Sequence, residues 1–198
     1  MAPIMTPMTS GIDLLQIDDF LDGSACDALR AELLEASGGP ATVSGAAAAV
    51  QPLVRRVTRA TMPAATRERV AGLLMARKGE LEQHFALSLS TCEEPQFLRY
   101  QAGDFFVAHQ DGNTPLIHDD TRFRKVSAII FLSGQSEAPA PGCYGDGALV
   151  FHGPYSGPQL RVPVTPPPGM LLCFRAETTH EVLPVTHGER VSIVSWFR

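Results

Sequence analysis

From Leu87 to Phe197 the chain is cut into short apolar runs by Pro, Gly, Asn and Asp, and this cadence limits what it can fold into. The runs are Leu87 to Thr91, Gln96 to Gln101, Phe105 to Gln110, Lys125 to Ser133, Ala148 to His152, Gln159 to Val164, Gly169 to Arg175, Glu181 to Val185 and Arg190 to Phe197. Each has the length of a strand and none is long enough for a sizeable helix. The N-terminal part reads differently. Ile12 to Ile17 is a short strand, and Asp22 or Ser24 can cap a helix from about Ala25 to Ala36 with Leu29, Leu33 and Leu34 on its apolar face. Gly38-Gly39-Pro40 stops that helix. Ala41 to Ala60 carries the run Ala46 to Ala49, which has helix propensity but no amphipathic pattern. Thr66 to Phe85 predicts one helix, with Val70, Leu73, Leu74, Leu81 and Phe85 at helical spacing. Many short strands after a helical section fit a mainly β sandwich or jelly-roll barrel with helices packed on one face.

The 198 residues suit one domain, residues 1–198, with 1–86 as mainly helical support and 87–198 as the β core. Net charge is -5 and no Lys/Arg block occurs, which argues against a nucleic-acid partner. The longest apolar stretches are strand-length, so no membrane span is expected, and residues 1–10 lack the charged start of a signal peptide. Cys26, Cys92, Cys143 and Cys173 are widely spaced, which reads as unpaired thiols in a reducing cytoplasm. Nothing in the sequence fixes the oligomeric state.

Phe105-Phe106-Val107-Ala108-His109-Gln110-Asp111 carries the chemistry. Residues i and i+2 share one face of a strand, so the imidazole of His109 and the carboxylate of Asp111 point the same way. His-x-Asp alone is commonly a solvated face. Here the preceding residues are apolar, the strand reads as buried, and a buried imidazole and carboxylate need a partner, of which a metal is one. A third ligand from a distant histidine, His180, completes two histidines and one carboxylate, a set that leaves coordination positions open and suits non-haem Fe(II). His180 opens the last hairpin. On the final strand Arg190, Ser192, Val194 and Trp196 share one face, while Val191, Ile193, Ser195 and Phe197 share the other. A guanidinium and a hydroxyl at i, i+2 can hold a carboxylate together. The alternative for Arg190 is a surface ion pair with Glu189 or Glu181. Gly112 to Phe123 and Gly134 to Gly147 are long enough to be lids or binding loops, or simply variable surface. His84 can complement a helix end, and His118, His152 and His187 read as surface residues beside loops.

The C-terminal half resembles the Fe(II)/2-oxoglutarate-dependent oxygenases, in their prolyl 4-hydroxylase-like branch. The resemblance is carried by Tyr100 to Asp111, Arg124 to Ser133, Gly147 to Phe151, and Pro168 to Phe174 followed by His180 to Phe197, in that order; Asp18-Asp19-Phe20-Leu21 leading into the helix with Cys26 adds to it. It implies a double-stranded β-helix (jelly-roll, cupin-like) barrel. It implies Fe(II) on His109, Asp111 and His180, with 2-oxoglutarate and O2 as cosubstrates and no catalytic residue beyond the metal centre. Arg190 would pair with the distal carboxylate of 2-oxoglutarate, assisted by Ser192, and Tyr100 would line the pocket; otherwise Tyr100 is a half-buried strand tyrosine. Asp111 favours hydroxylation over halogenation, since related halogenases carry a small residue there. The implied reaction is hydroxylation of an unactivated C–H, in a prolyl residue of a protein or peptide, or in a free amino acid or small metabolite. A non-catalytic oxygen or 2-oxoglutarate sensor and a zinc hydrolase are the rival classes. Three positions depart from the family: Phe106 and Phe131 stand where relatives carry Tyr, and Asp146-Gly147-Ala148-Leu149 lacks the usual Glu. They spare the iron and arginine positions, and they separate the substrate from that of any one relative.

Overall fold

The computed structural model describes residues 11–43, 50–114, 119–153 and 160–198. The run Ala46 to Ala49, His118, the N-terminal ten residues and Gln159 lie outside the described residues. The first elements are β1 (Leu14–Ile17), α1 (Gly23–Glu35), β2 (Gly38–Pro40), β3 (Arg55–Arg56) and β4 (Thr58–Ala60). Asp22 caps α1 as expected, its carboxylate accepting from the Ala25 N–H at 2.8 Å. The single helix predicted over Thr66 to Phe85 is two helices, α2 (Ala64–Met75) and α3 (Lys78–Phe85), broken at Ala76–Arg77. Leu74 and Leu81, both buried, are seven residues apart, so one apolar face survives the break and the spacing cannot reveal it. Lys78 and Glu82 pair across one turn of α3 at 2.7 Å.

The remaining strands are β5 (Gln96–Tyr100), β6 (Phe105–His109), β7 (Val126–Phe131), β8 (Gly134–Gln135), β9 (Cys143–Asp146), β10 (Leu149–His152), β11 (Arg161–Val164), β12 (Leu171–Arg175), β13 (His180–Val182), β14 (Val185–Gly188) and β15 (Arg190–Phe197). Leu87 to Thr91 is not a strand. It follows the end of β15 irregularly, through a bridge of Cys92 to Phe197 and a bond from Arg198 N–H to the Thr91 carbonyl. The loop 134–147 contains β8 and β9 at its two ends, which pair with each other, and β9 pairs with β14 to complete a three-stranded sheet. A seven-stranded antiparallel sheet runs β1-β12-β7-β15-β5-β4-β2 and faces a five-stranded one, β11-β10-β13-β6-β3. This is the jelly-roll arrangement, with strand pairing that forms facing sheets rather than one closed ring among the described residues.

Strand parity sorts the core into two layers. Val126, Ala128 and Ile130 of β7, Leu171 and Cys173 of β12, and Val191, Ile193 and Phe197 of β15 pack outward against Leu29, Leu33, Val70, Leu74, Leu81 and Phe85 of the helices. The alternate residues Ile129, Phe131, Leu172, Phe174, Val194 and Trp196 pack inward between the sheets with Leu98, Tyr100, Leu149 and Phe151. Because both faces of β7 and β15 are covered, they read as nearly continuous apolar runs. The four cysteines are free. No helix among the described residues is long and apolar enough to cross a membrane.

Candidate active site

The inner faces of the two sheets enclose a cavity of about 590 Å³. His109, Asp111, His180, Tyr100, Arg190 and Ser192 all line it. His109 and His180 are cross-strand partners in the β6–β13 pair, which is why residues so far apart in sequence meet. Their rings lie 4.3 Å apart between centroids. His109 is the last residue of β6, and Asp111 stands just beyond the strand, where the N–H groups of Asp111 and Gly112 both donate to the Ala176 carbonyl. The expectation of a buried strand is corrected here: Val107 and Ala108 are exposed and Phe105 and Phe106 only half-buried. On the side of β6 away from β13 the sheet continues, among the described residues, only with the two-residue β3, and the mouth of the cavity lies there.

Ligand atoms of His109, Asp111 and His180 fall within 4.8 Å of one another. His109 Nε2 is 3.6 Å from Asp111 Oδ1, and His180 Nε2 is 3.6 Å from Asp111 Oδ2. His109 Nδ1 lies 2.8 Å from the Val107 carbonyl and His180 Nδ1 2.9 Å from that of Thr178. A carbonyl only accepts, so each Nδ1 carries the hydrogen and each Nε2 turns a lone pair into the site. That is how ligating histidines are oriented. The Ser127 hydroxyl donates to Asp111 Oδ2 at 2.6 Å. Phe106 stacks on His109 at 3.5 Å, and Phe174 meets His180 edge-on at 4.8 Å. Burial alone would push the Asp111 carboxyl up, but His180, His109 and Ser127 outweigh it and hold the group well below the ordinary carboxylate range. Burial, with His109 adjacent, pushes His180 down to about 4, so its imidazole is neutral at pH 7. An ionised carboxylate between two imidazoles whose Nε2 atoms converge on it fits a divalent metal.

Arg190 is 2% exposed, and no carboxylate among the described residues pairs with it. Glu189 instead lies 3.8 Å from Arg99, and Glu181 pairs with His152 and Arg161. The surface ion pair considered for Arg190 is therefore absent. Its Nη1 donates to Ser192 Oγ at 3.3 Å, while Nε is buried without a partner. Tyr100, its cross-strand partner, lies beneath the guanidinium at 5.2 Å and Phe131 at 5.4 Å. A buried cation with an unpartnered donor fits an acidic ligand. Of the departures from the family pattern, Phe106 lines the cavity, and Phe131 is buried beneath Arg190. His152 is half-buried against Glu181 at 3.1 Å, and His84 bonds Asp13 at 3.0 Å.

The lining residues Arg55 and Gln96 gave no functional signal in the sequence, and Arg124 appeared there only as the start of the stretch Arg124 to Ser133. Arg124 bridges Glu93 through Nε at 3.0 Å and Nη2 at 2.7 Å, and its guanidinium lies 3.7 Å over the Trp196 ring. Trp196 could be anticipated, because it shares a strand face with Arg190 and Ser192.

Residues 95–198 match the family model of the 2OG-Fe(II) oxygenase superfamily. The chain belongs to this superfamily. A PKHD-type hydroxylase of Burkholderia ambifaria is 34% identical over 103 residues, covering 52% of this chain and 41% of that protein. The chain thus spans less than half the length of that relative. The crystal structure of a Pseudomonas putida prolyl-4-hydroxylase is similar to this oxygenase-family chain with a TM-score of 0.68 at 26% identity, over 94% of this chain and 92% of the other. A viral collagen prolyl hydroxylase from Paramecium Bursaria Chlorella virus-1, solved as a 2OG complex, has the same fold: TM-score 0.62, 22% identity, 95% of this chain and 97% of that one. Membership in this superfamily brings Fe(II) and 2-oxoglutarate, and the histidine, carboxylate and arginine chemistry described above suits both.

Proposed function

We propose that this chain is an Fe(II)- and 2-oxoglutarate-dependent dioxygenase that hydroxylates an unactivated C–H bond, with a prolyl residue in a protein or peptide as acceptor. The observation that carries the proposal is a buried, carboxylate-free Arg190 in the same cavity as a His-Asp-His cluster. His109, Asp111 and His180 hold the iron. Arg190 neutralises the distal carboxylate of 2-oxoglutarate, Ser192 steadies the guanidinium, and Tyr100 forms the wall beneath it. Iron and 2-oxoglutarate, when bound, supply the oxidative chemistry: O2 converts 2-oxoglutarate to succinate and CO2, and the second oxygen atom enters the C–H bond. The chain's own part is orientation and exclusion of water. Phe106 and Phe174 shield the two histidines, and Ser127 fixes the Asp111 carboxylate. The acceptor enters past Val107, on the open side of β6. The PKHD-type relatives and the prolyl hydroxylase neighbours support proline as the acceptor.

The test is incubation of the full chain with Fe(II), 2-oxoglutarate, O2 and a pool of proline-containing peptides, read by mass spectrometry. A peptide product one oxygen heavier, matched by succinate, is expected. Hydroxylation confined to non-peptide acceptors would redirect the acceptor to a small metabolite. Activity with zinc and not with iron would reject the dioxygenase.

A further inference from the structure

We infer that Arg55 is a specificity residue that binds a carboxylate on the acceptor. The inference rests on the hydroxylase reading above and names the chemistry of its substrate. Arg55 lies on β3 at the open mouth of the cavity. Its guanidinium stacks over Phe106 at 4.7 Å, and Phe106 in turn stacks on His109 at 3.5 Å. The cation is therefore two stacking contacts from a candidate iron ligand, beside the place a reacting acceptor must occupy.

Its partners leave Nε unsatisfied. Nη1 donates to the Thr42 carbonyl at 2.9 Å. Nε is buried with no partner, and no carboxylate among the described residues pairs with the guanidinium. The Nε/Nη2 edge is the one that takes a carboxylate side-on with two parallel bonds. Arg124, in the same cavity, shows this edge in use: its Nε and Nη2 grip the two oxygens of Glu93. Arg190 and Arg124 are otherwise committed, the first deep between the sheets and the second to Glu93. Among the described residues, Arg55 is the remaining cavity-lining arginine, and its Nε donor is left for a ligand. A half-buried cation held in place by Thr42 and Phe106 is preorganised for it, which lowers the ordering cost on binding.

The carboxylate could be an Asp or Glu side chain beside the reacting residue or the acceptor's own terminal carboxylate. The test separates them. The full chain, with Fe(II), 2-oxoglutarate and O2, is given proline-containing peptides randomised at the flanking positions, each as C-terminal acid and as amide, together with free L-proline and L-prolinamide. Oxygenated products are read by mass spectrometry. Products from the wild-type chain are expected to be enriched in carboxylates, with the amide forms showing which carboxylate counts. Arg55→Gln is expected to abolish the enrichment, and Arg55→Glu to shift it to Lys and Arg. Trp196, the chain's single tryptophan, lines the cavity, so its fluorescence reports binding without turnover. In anaerobic titrations the best acidic acceptor should bind roughly 10-fold or more tightly than its amide counterpart, a ratio that falls to about 1 in Arg55→Gln. Products with no acidic enrichment, or the same enrichment in Arg55→Gln, overturn the role of Arg55 and leave the hydroxylase standing. No product from any acceptor, with 2-oxoglutarate bound, overturns the hydroxylase and the inference together.

Discussion

Ser127 is not one of the three candidate ligands, yet it holds one of them. Its hydroxyl holds Asp111 Oδ2 at 2.6 Å and so fixes the plane of the carboxylate between the two histidines. Partners of this kind set ligand orientation, and their loss weakens metal binding by about 10–100-fold. Ser127→Ala is expected to lower Fe(II) affinity by that factor in a competition titration with a metal-binding dye; unchanged affinity would remove Ser127 from the site. At this scale much was legible in advance. Arg190 and Ser192 share a face of β15 by strand parity, whereas Asp111 stands past the end of β6 and is brought to His109 by the turn held on the Ala176 carbonyl. Ser127 and Arg55 were not legible. Ser127 reaches Asp111 through the turn after β6 and Arg55 reaches Phe106 through the β3–β6 pairing, and neither residue is singled out by local spacing. The exposure of Val107 and Ala108 was also hidden, because it depends on how short β3 is.

At the level of elements, the turn after β6 decides whether Asp111 faces the histidines. A Cβ added at Gly112 would lie 2.2 Å from the Thr121 carbonyl and 2.7 Å from Arg124 Cβ. Neither can yield without moving the loop. Gly112→Ala is expected to cost about 1–3 kcal/mol of stability, read by denaturant unfolding, and to weaken metal binding with it. The same region is tied down by Glu93, which bonds both Arg124 and Arg198. Burial pushes the Glu93 carboxyl up, but the two guanidinium groups outweigh it and hold it below the ordinary range. The unfolded chain therefore takes up this proton at a higher pH than the native one. The stabilisation is full above the ordinary carboxyl range and is lost as pH falls through it toward the lower native value. Melting temperature should fall with pH through that window, and Glu93→Gln should flatten the fall while lowering stability at pH 7. Periodicity found the buried face of α2 and α3 but could not see the break between them, since Leu74 and Leu81 keep one face across it.

For the whole molecule, the helices and both sheets are joined by cores on the two sides of β7 and β15. Residues 1–198 are accordingly expected to unfold in one cooperative transition, with calorimetric and van't Hoff enthalpies equal; two separable transitions would divide the helices from the sheets. The candidate site couples ligand to fold. A divalent metal at 100 times its dissociation constant should stabilise by about 2.7 kcal/mol, which is roughly 5–10 °C in melting temperature for a chain of this size. 2-Oxoglutarate should add to that shift when metal is present. The layered β class and the helices on one face followed from the strand cadence. The facing of a seven-stranded sheet by a five-stranded one did not, because it is fixed by pairings such as β15 with β5 and β7 that no local pattern records.

One cavity is expected to hold a metal on His109, Asp111 and His180 and an oxoacid on Arg190. Anaerobic titration of Fe(II) and 2-oxoglutarate into the full chain, followed by visible absorption, tests it most directly. A charge-transfer band should appear only when both are present. It should vanish in Asp111→Ala, and in Arg190→Ala it should require roughly 100-fold more 2-oxoglutarate, the loss of about 2–3 kcal/mol from a charge-assisted pair. A wild-type chain that gives no band, or an Arg190→Ala chain that binds 2-oxoglutarate as tightly as wild type, would contradict it.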